Sequence, residues 1–423
     1  MLTPYSLHLI PLHKMDSLTQ ITLGAAVGEA VLGKKIGNKA MVWGGIAGTI
    51  PDLDVITNFY MHSIEAMAVH RGLSHSLLFT VVAAPAFGWL VHQFYKQKIP
   101  NQASYKVSMI GLAILFYTGI FGGLIYASTV SNGTPSWQLI LTALVLGWLL
   151  IRRLTSFWKN EPRPLTEPPT VTEWSWLFFL GFLTHTLLDS LTPYGTQLLS
   201  PFSNARIAFN TISVADPLYT IPFILCLIAA SFYHRSHKRR KILNWLGIGI
   251  SSAYLLFGLM NKIKAQDTFA QLLDERKIEY TDYVVSPTIL NTMLWQCVAN
   301  TPDGYKVGFY SVLDEDLSQI KFAHIEKNHE LLQPYHGNRY IQILRWFSKG
   351  YYNVERIDEN TLRYNDALLA VISGELRGTD KHDFALKFDV VKTASGVDVM
   401  PDRTPPSMTS EELQKLWERI KGF

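Results

Sequence analysis

The 423-residue chain is 48% hydrophobic and only 17% charged, with a mean hydropathy of +0.12. Charged residues make up about a quarter of an ordinary soluble protein, so a wholly soluble chain is excluded. The net charge of +4 sits mostly in short loops and gives no reason to expect nucleic acid as a partner.

In chain order, residues 1–14 (MLTPYSLHLIPLHK) lack the charged start, apolar core and small-residue cleavage site of a signal peptide. Met15 is a candidate initiator, and residues 1–14 read as an extension without function. Segments 18–33 and 39–50 are rich in Gly and Ala, which suits close helix packing or a re-entrant pair. The second of them would reach only ~18 Å as a helix, against a hydrocarbon core of ~30 Å. Six runs are long and apolar enough to span: 75–95, 106–130, 137–151, 174–192, 217–233 and 243–261. The Pro-rich segment 152–172 reads as a linker. The fold class expected is therefore an all-α polytopic membrane domain over 15–262, with six to eight membrane helices, followed by a soluble, β-rich α+β domain over 263–423. In the latter, WQCVAN-TPDG-YKVGFYSV reads as a hairpin, YIQILRWF and FALKFDVV as strands, and the tail as an amphipathic helix capped by Ser410. Cys226 and Cys297 form neither a disulfide framework nor a CxxC site.

Basic residues set the orientation. If 75–95 enters the membrane from outside, the inside loops hold fifteen Lys and Arg, from Lys34 to Lys241, whereas the outside loops 51–74, 131–136 and 193–216 hold only Arg71 and Arg206. A basic nucleic-acid surface would not alternate loop by loop; the positive-inside rule does. The C-terminal domain is then expected outside.

Ionisable groups near a membrane are costly and mark function. Five clusters qualify: Asp16; Asp52 and Asp54 in PDLD; His70, Arg71, Ser74 and His75 in HRGLSHS; His185 and Asp189 in THTLLDS; and Asp216 in ADPLYT. The inferred topology brings all of them to one face. His185 and Asp189, at i and i+4, project from one side of a helix and can share a cation. A mixed nitrogen and oxygen donor set suits zinc first, with manganese or iron behind it. Two such metals would activate water and stabilise charge on a phosphoryl or acyl oxygen, with Arg71 orienting a phosphate. Against this stand plain structural roles: PDLD as a turn, His70 or His75 as interface residues, His185 and Asp189 as a buried pair or proton relay, and Asp216 as a helix cap before Pro217. There is no GxSxG, no HExxH, and no lysine beside GGIAG to make a nucleotide loop. HRSHKRRK, residues 234–241, reads as a lipid-facing cytoplasmic anchor.

MDSLTQ, WGGIAGTIPDLD, HRGLSHS, THTLLDSLTPYGTQLLSPFS and ADPLYT together resemble the bacterial inner-membrane family typified by YdjM, over about residues 15–261. The resemblance implies a metal-dependent hydrolase, distantly similar to zinc phospholipase C and P1-type nucleases. Carried over by motif, Asp16, Asp52, Asp54, His70, His75, His185 and Asp189 become metal ligands. Asp216 becomes an extra ligand or general base, and Arg71 the anion grip. Family members often carry His where this chain has Gln20; an amide is a poor substitute for imidazole at a transition metal, so fewer ions are expected. The expectation is a zinc-dependent hydrolase of a lipid or lipid-linked phosphoester at the outer face of the bacterial cytoplasmic membrane, with a cell-envelope partner for the C-terminal domain. The alternatives are a non-catalytic lipid-binding or scaffold protein, and a proton-coupled transporter.

Overall fold

The computed structural model describes residues 10–97, 99, 102–132, 137–159, 168–368, 384–394, 396–402 and 410–423. Helix α1 (Ile10–Ile36) reverses at Gly37, whose φ of 62° suits glycine, into α2 (Asn38–Thr49). The two pack antiparallel with almost no side chain between them. A Cβ on Gly24 would stand 2.9 Å from Gly48 Cα, and one on Gly44 would stand 2.8 Å from Gly28 Cα. Small residues at four-residue spacing (Gly24 and Gly28; Ala40, Gly44 and Gly48) thus let two backbones touch. On α7 (Val171–Leu191), Gly181 likewise meets the Ala47 Cβ, so α2 is pressed against α7 as well.

Helices α8 (Pro217–Ser231) and α9 (Lys238–Glu275) complete this layer. Arg240 at the start of α9 donates to both Glu29 oxygens, at 2.6 and 2.5 Å, and to Asn38 Oδ1 at 2.5 Å. That buried pair ties α9 to the α1–α2 turn. Residues 86–175 form a second unit, in which α5 (Ala103–Asn132) and α6 (Trp137–Lys159) are joined by Tyr117 donating to the Ala143 carbonyl and Lys106 Nζ to the Trp158 carbonyl. Each of the six apolar runs of the sequence falls on a helix, α4 being Leu77–Lys96. Among the described residues α4, α6 and α9 are long and apolar enough to cross a membrane, while α8 is apolar but shorter. Leu218, Ile221, Leu225 and Ile228 form an exposed face on α8, and Val81 and Val82 are exposed on α4; surfaces of this kind suit lipid. The segment expected as a linker is helical as far as Lys159; its prolines Pro162 and Pro164 and residues 1–9 of the expected extension lie outside the described residues.

Helix α9 continues past the apolar layer. Its last turns bury Ala265, Phe269, Leu272 and Leu273 against Trp295, Cys297 and Tyr310 of the first C-terminal sheet. That sheet is an antiparallel meander of β1 (Asp282–Pro287), β2 (Leu294–Thr301), β3 (Gly304–Ser311) and β4 (Phe322–Ile325). The β2–β3 hairpin closes on the expected turn, with Thr301 opposite Gly304. Alternation sends Leu294 and Val298 to the other face, where Leu416 of α11 (Ser410–Ile420) packs. Arg419 locks α11 down, its guanidinium bidentate on Asp314 at 2.7 and 2.8 Å. A second meander comprises β5 (Tyr352–Arg356), β6 (Thr361–Asp366), β7 (Lys387–Thr393) and β8 (Gly396–Pro401).

One expectation is overturned. YIQILRWF is helical, α10 (Arg339–Phe347), because Asn338 caps it through the Tyr340 and Ile341 amides and its buried residues, Ile341, Leu344 and Phe347, recur every third position. A helix of seven residues, α3 (Ser63–Val69), joins the same core: Ile64 is fully buried among Leu332, Ile341, Val354 and Val399. Loop 51–76 and the C-terminal domain therefore lie on the same side of the helical layer.

Two outcomes follow from this packing. Gly44→Leu, which drives a side chain into the α1 backbone, is expected to abolish recovery of monodisperse protein in detergent, whereas Gly111→Leu, with open space around it, is expected to leave recovery unchanged. Arg419→Ala strands Asp314 in the interior and should lower the stability of the C-terminal domain by about 3 kcal/mol, read as a shift in its denaturant midpoint.

Candidate metal centre

The PDLD motif opens a 3₁₀ helix, Pro51–Phe59, that turns Asp52 and Asp54 inward. After α3 the chain turns sharply through HRG: Arg71 takes a φ of 58°, and a Cβ on Gly72 would meet the Val69 carbonyl at 2.6 Å. The Arg71 carbonyl accepts from the Gln197 amide (3.0 Å) and Thr196 Oγ1 (3.1 Å), so the GTQLL segment fixes this turn.

The turn delivers His75 opposite the α7 pair, and four donors converge. Single donor atoms of Asp52, His75, His185 and Asp189 all lie within 4.8 Å of one another. His75 Nε2 stands 3.3 Å from Asp52 Oδ1 and 3.3 Å from Asp189 Oδ2; His185 Nε2 stands 3.5 Å from each of the same two oxygens. Ligands at ~2.1 Å from a tetrahedral zinc ion are ~3.4 Å from each other. These four separations match that spacing, and the whole group lies within 4.8 Å.

The protonation pattern points the same way. His185 Nδ1 is 2.8 Å from the Gly48 carbonyl, which only accepts, so Nδ1 carries a hydrogen and Nε2 faces the centre. Ser74 donates its hydroxyl to Asp54 Oδ2 at 2.9 Å and can then only accept from His75 Nδ1, at 3.0 Å. His75 Nε2 then faces the centre, hydrogen-bonded to Asp52 Oδ1 at 3.3 Å. Two imidazole nitrogens face two carboxylate oxygens, and His185 Nε2 and Asp189 Oδ2 are buried atoms without a hydrogen-bond partner. A divalent ion between neutral imidazoles and the carboxylates would serve all four atoms. The residues present fit a divalent ion.

The remaining expected residues surround this group. Asp54 receives His70 Nδ1 (2.8 Å), the Arg71 amide (3.1 Å) and Ser74, and so orients the HRGLSHS turn as an outer carboxylate. Burial pushes its carboxyl up, but hydrogen bonds from His70 and His75 outweigh that and hold it well below the usual carboxylate range. Arg71 was expected to grip an anion. It is only 2% exposed and already engaged: Nη2 meets Asp16 at 2.5 Å, Nη1 donates to Thr192 Oγ1 at 3.0 Å, and Nε lies 3.3 Å from Asp189 Oδ2. Asp16 thus reaches the cluster through Arg71. Asp216, expected as a ligand or base, caps α8 through the Leu218 and Tyr219 amides and accepts from Tyr254 at 2.8 Å; none of these bonds reaches the cluster. Gln20 donates Nε2 to Asp189 Oδ1 at 2.8 Å, an orienting contact. Thr192 and Tyr194, whose ring lies 4.7 Å from the Arg71 guanidinium, were not singled out from sequence, although both stand in the TPY run just after THTLLDS.

A helical apolar layer with a buried acid–imidazole centre at one end, carrying a sheet domain on that same end, defines a membrane protein built around a polar site. The chain belongs to the YdjM inner membrane protein family, whose model matches residues 15–265. The family description names a location and no reaction. No curated protein and no solved structure matches the chain.

Removing Asp54 takes away the acceptor of three donors without touching the four central atoms. Asp54→Ala is expected to weaken zinc binding by about 10–100-fold, measured by competition with a chelating dye on the detergent-purified chain.

Proposed function

We propose that this chain is a metal-dependent hydrolase of the bacterial cytoplasmic membrane, with six to eight membrane helices, acting on a lipid or lipid-linked phosphoester at the outer face. The observation that carries the reading is the convergence of two imidazole nitrogens and two carboxylate oxygens with four separations of 3.3–3.5 Å, two of those atoms being buried without a hydrogen-bond partner. Asp52, His75, His185 and Asp189 would hold the ion, and zinc suits their donor types. A divalent ion so held supplies a Lewis acid and an activated water.

The chain's own residues do the rest. Gly48, Ser74 and Asp54 fix the two ring tautomers, and Gln20 and Arg71 hold Asp189 in place. Asp52 is the most open of the four, with 17% of its side chain exposed, so it marks the approach side. On the same 3₁₀ helix Leu53, Ile56 and Phe59 are exposed, an apolar rim that supports a substrate with a lipid tail. Fifteen basic residues in alternate loops support the orientation with loop 51–74 outside, and the packing of α3 into the second sheet supports a C-terminal domain on the side of that loop.

Metal analysis of the detergent-purified chain should find bound transition metal that falls to background in His185→Ala and Asp189→Ala while both variants elute as folded protein. The loaded wild type should release phosphate-containing product from phospholipids or prenyl phosphates. No metal after zinc reconstitution, with pH-linked transport in vesicles, would replace this reading with the proton-relay one.

A further inference from the structure

Any site built from this many acids must settle how many cations it takes. Asp16, Asp52, Asp54 and Asp189 bring four carboxylates into one buried neighbourhood, and among the described residues Arg71 is the only guanidinium bonded among them. The motif resemblance makes Asp16, Asp54 and His70 metal ligands beside Asp52, His75, His185 and Asp189, which is donors enough for a second ion. The geometry of Asp16 and of Asp54 opposes this.

Asp16 Oδ2 is 2.5 Å from Arg71 Nη2. Both Asp54 oxygens are taken, Oδ1 by His70 Nδ1 and Oδ2 by the Arg71 amide and Ser74. The Gln20 amide turns its hydrogens, not its oxygen, towards Asp189, since a carboxylate only accepts. Arg71 stands where a second cation would have to stand: its Nη2 is on Asp16 and its Nε is 3.3 Å from Asp189 Oδ2, so it bridges a carboxylate of the proposed ion and one outside it. The strained backbone at Arg71, with φ 58°, and the carbonyl contacts from Gln197 and Thr196 hold it there. With both central imidazoles neutral, one divalent ion and Arg71 bring three positive charges against four negative ones, and the amide and hydroxyl on Asp54 serve the remainder. A second divalent ion beside Arg71 would overshoot, and one bound between Asp16 and Asp189 would have to displace the guanidinium.

We infer that the site is mononuclear, and that Arg71 is a built-in second cation neutralising Asp16 and positioning Asp189, with no role as a free anion grip. This rests on the metal reading proposed above and assigns its stoichiometry and the roles of Asp16 and Arg71.

The test is zinc stoichiometry together with zinc X-ray absorption on the full-length, detergent-purified chain, loaded with Zn²⁺ and dialysed against excess buffer. One ion per chain is expected, with nitrogen and oxygen neighbours and no metal–metal scattering near 3.5–4 Å, the spacing of two-metal sites. Two ions per chain, or a metal–metal vector at any loading, overturns the inference while leaving the hydrolase reading intact. No ion at all removes the hydrolase reading on which it rests. Asp16→Asn is the second arm, because it keeps the volume at that position. It should still bind one ion per chain; loss of the ion from folded Asp16→Asn protein would make Asp16 a ligand and overturn the assignment. A variant that fails to fold leaves the decision to the wild-type stoichiometry and absorption spectrum.

Discussion

Buried negative charge is the constraint that organises this molecule. An ionised carboxylate withdrawn from water costs several kcal/mol unless it is paired and hydrogen-bonded, and four of them lie together here. The fold answers each one separately: a guanidinium for Asp16, three donors for Asp54, an amide and the Arg71 edge for Asp189, and imidazole edges for Asp52. What is left without a hydrogen-bond partner is His185 Nε2 and Asp189 Oδ2, at the point where two imidazole nitrogens and two carboxylate oxygens meet. This is the gap that the proposed divalent ion would fill.

The gap has its shape because of packing elsewhere. His185 finds an acceptor in the Gly48 carbonyl only because α2 lies against α7 at Gly181 and Ala47, and α2 lies there because glycines let it sit against the α1 backbone. On the opposite wall, the loop with Asp52, Asp54 and His75 is tied down by Ile64 in the core of the second sheet, by Glu65 on Arg339 and by His62 on Asp398. Arg206 adds a second tie, stacking on Tyr194 and on Phe347 of α10 while Tyr194 covers Arg71. The C-terminal domain is thus a wall of the site's supporting structure as much as a separate module, although its residues after Ala265 fall beyond the family match.

Much of this was legible in the sequence, for reasons that differ by element. Long apolar runs report burial or lipid contact directly, so all six fell on helices. Glycine at four-residue spacing reported the α1–α2 contact, because nothing else tolerates touching backbones. The site was legible as a set, since charge alternation between loops gathered Asp16, PDLD, HRGLSHS and THTLLDS at one face. Roles within the set were not legible. Whether Asp54 or Asp52 points at the centre depends on the pitch of a 3₁₀ helix, and whether Arg71 is free or spent depends on Asp16, which is fifty-five residues away. Asp216 illustrates the limit most plainly: the Asp-Pro pair that begins a helix has the same appearance whether the carboxylate caps or catalyses, and here it caps. YIQILRWF was misread because its β-branched and aromatic residues favour a strand, while the decisive signal was the preceding Asn338, whose side chain answers two helix amides.

Helix α1 gives the molecule its direction. Asp16 and Glu29 lie thirteen residues apart on it, ~20 Å at helical rise, and each is buried against an arginine from a distant part of the chain, Arg71 at one end and Arg240 at the other. The Arg240 end continues into a run of Lys and Arg; the Arg71 end continues into the site, the exposed Leu53, Ile56 and Phe59, and the sheet domain. In the orientation proposed above, the basic end is the cytoplasmic one. Within the nine residues Pro51–Phe59, acids turn inward and apolar side chains outward, which is the pattern of a helix lying in an interface. A phosphoester carried on a lipid has the matching polarity over the same few ångströms. A soluble substrate would meet Leu53, Ile56 and Phe59 only as an exposed apolar surface that water disfavours, whereas the proposed lipid-borne substrate would meet them as continuous with its own surroundings.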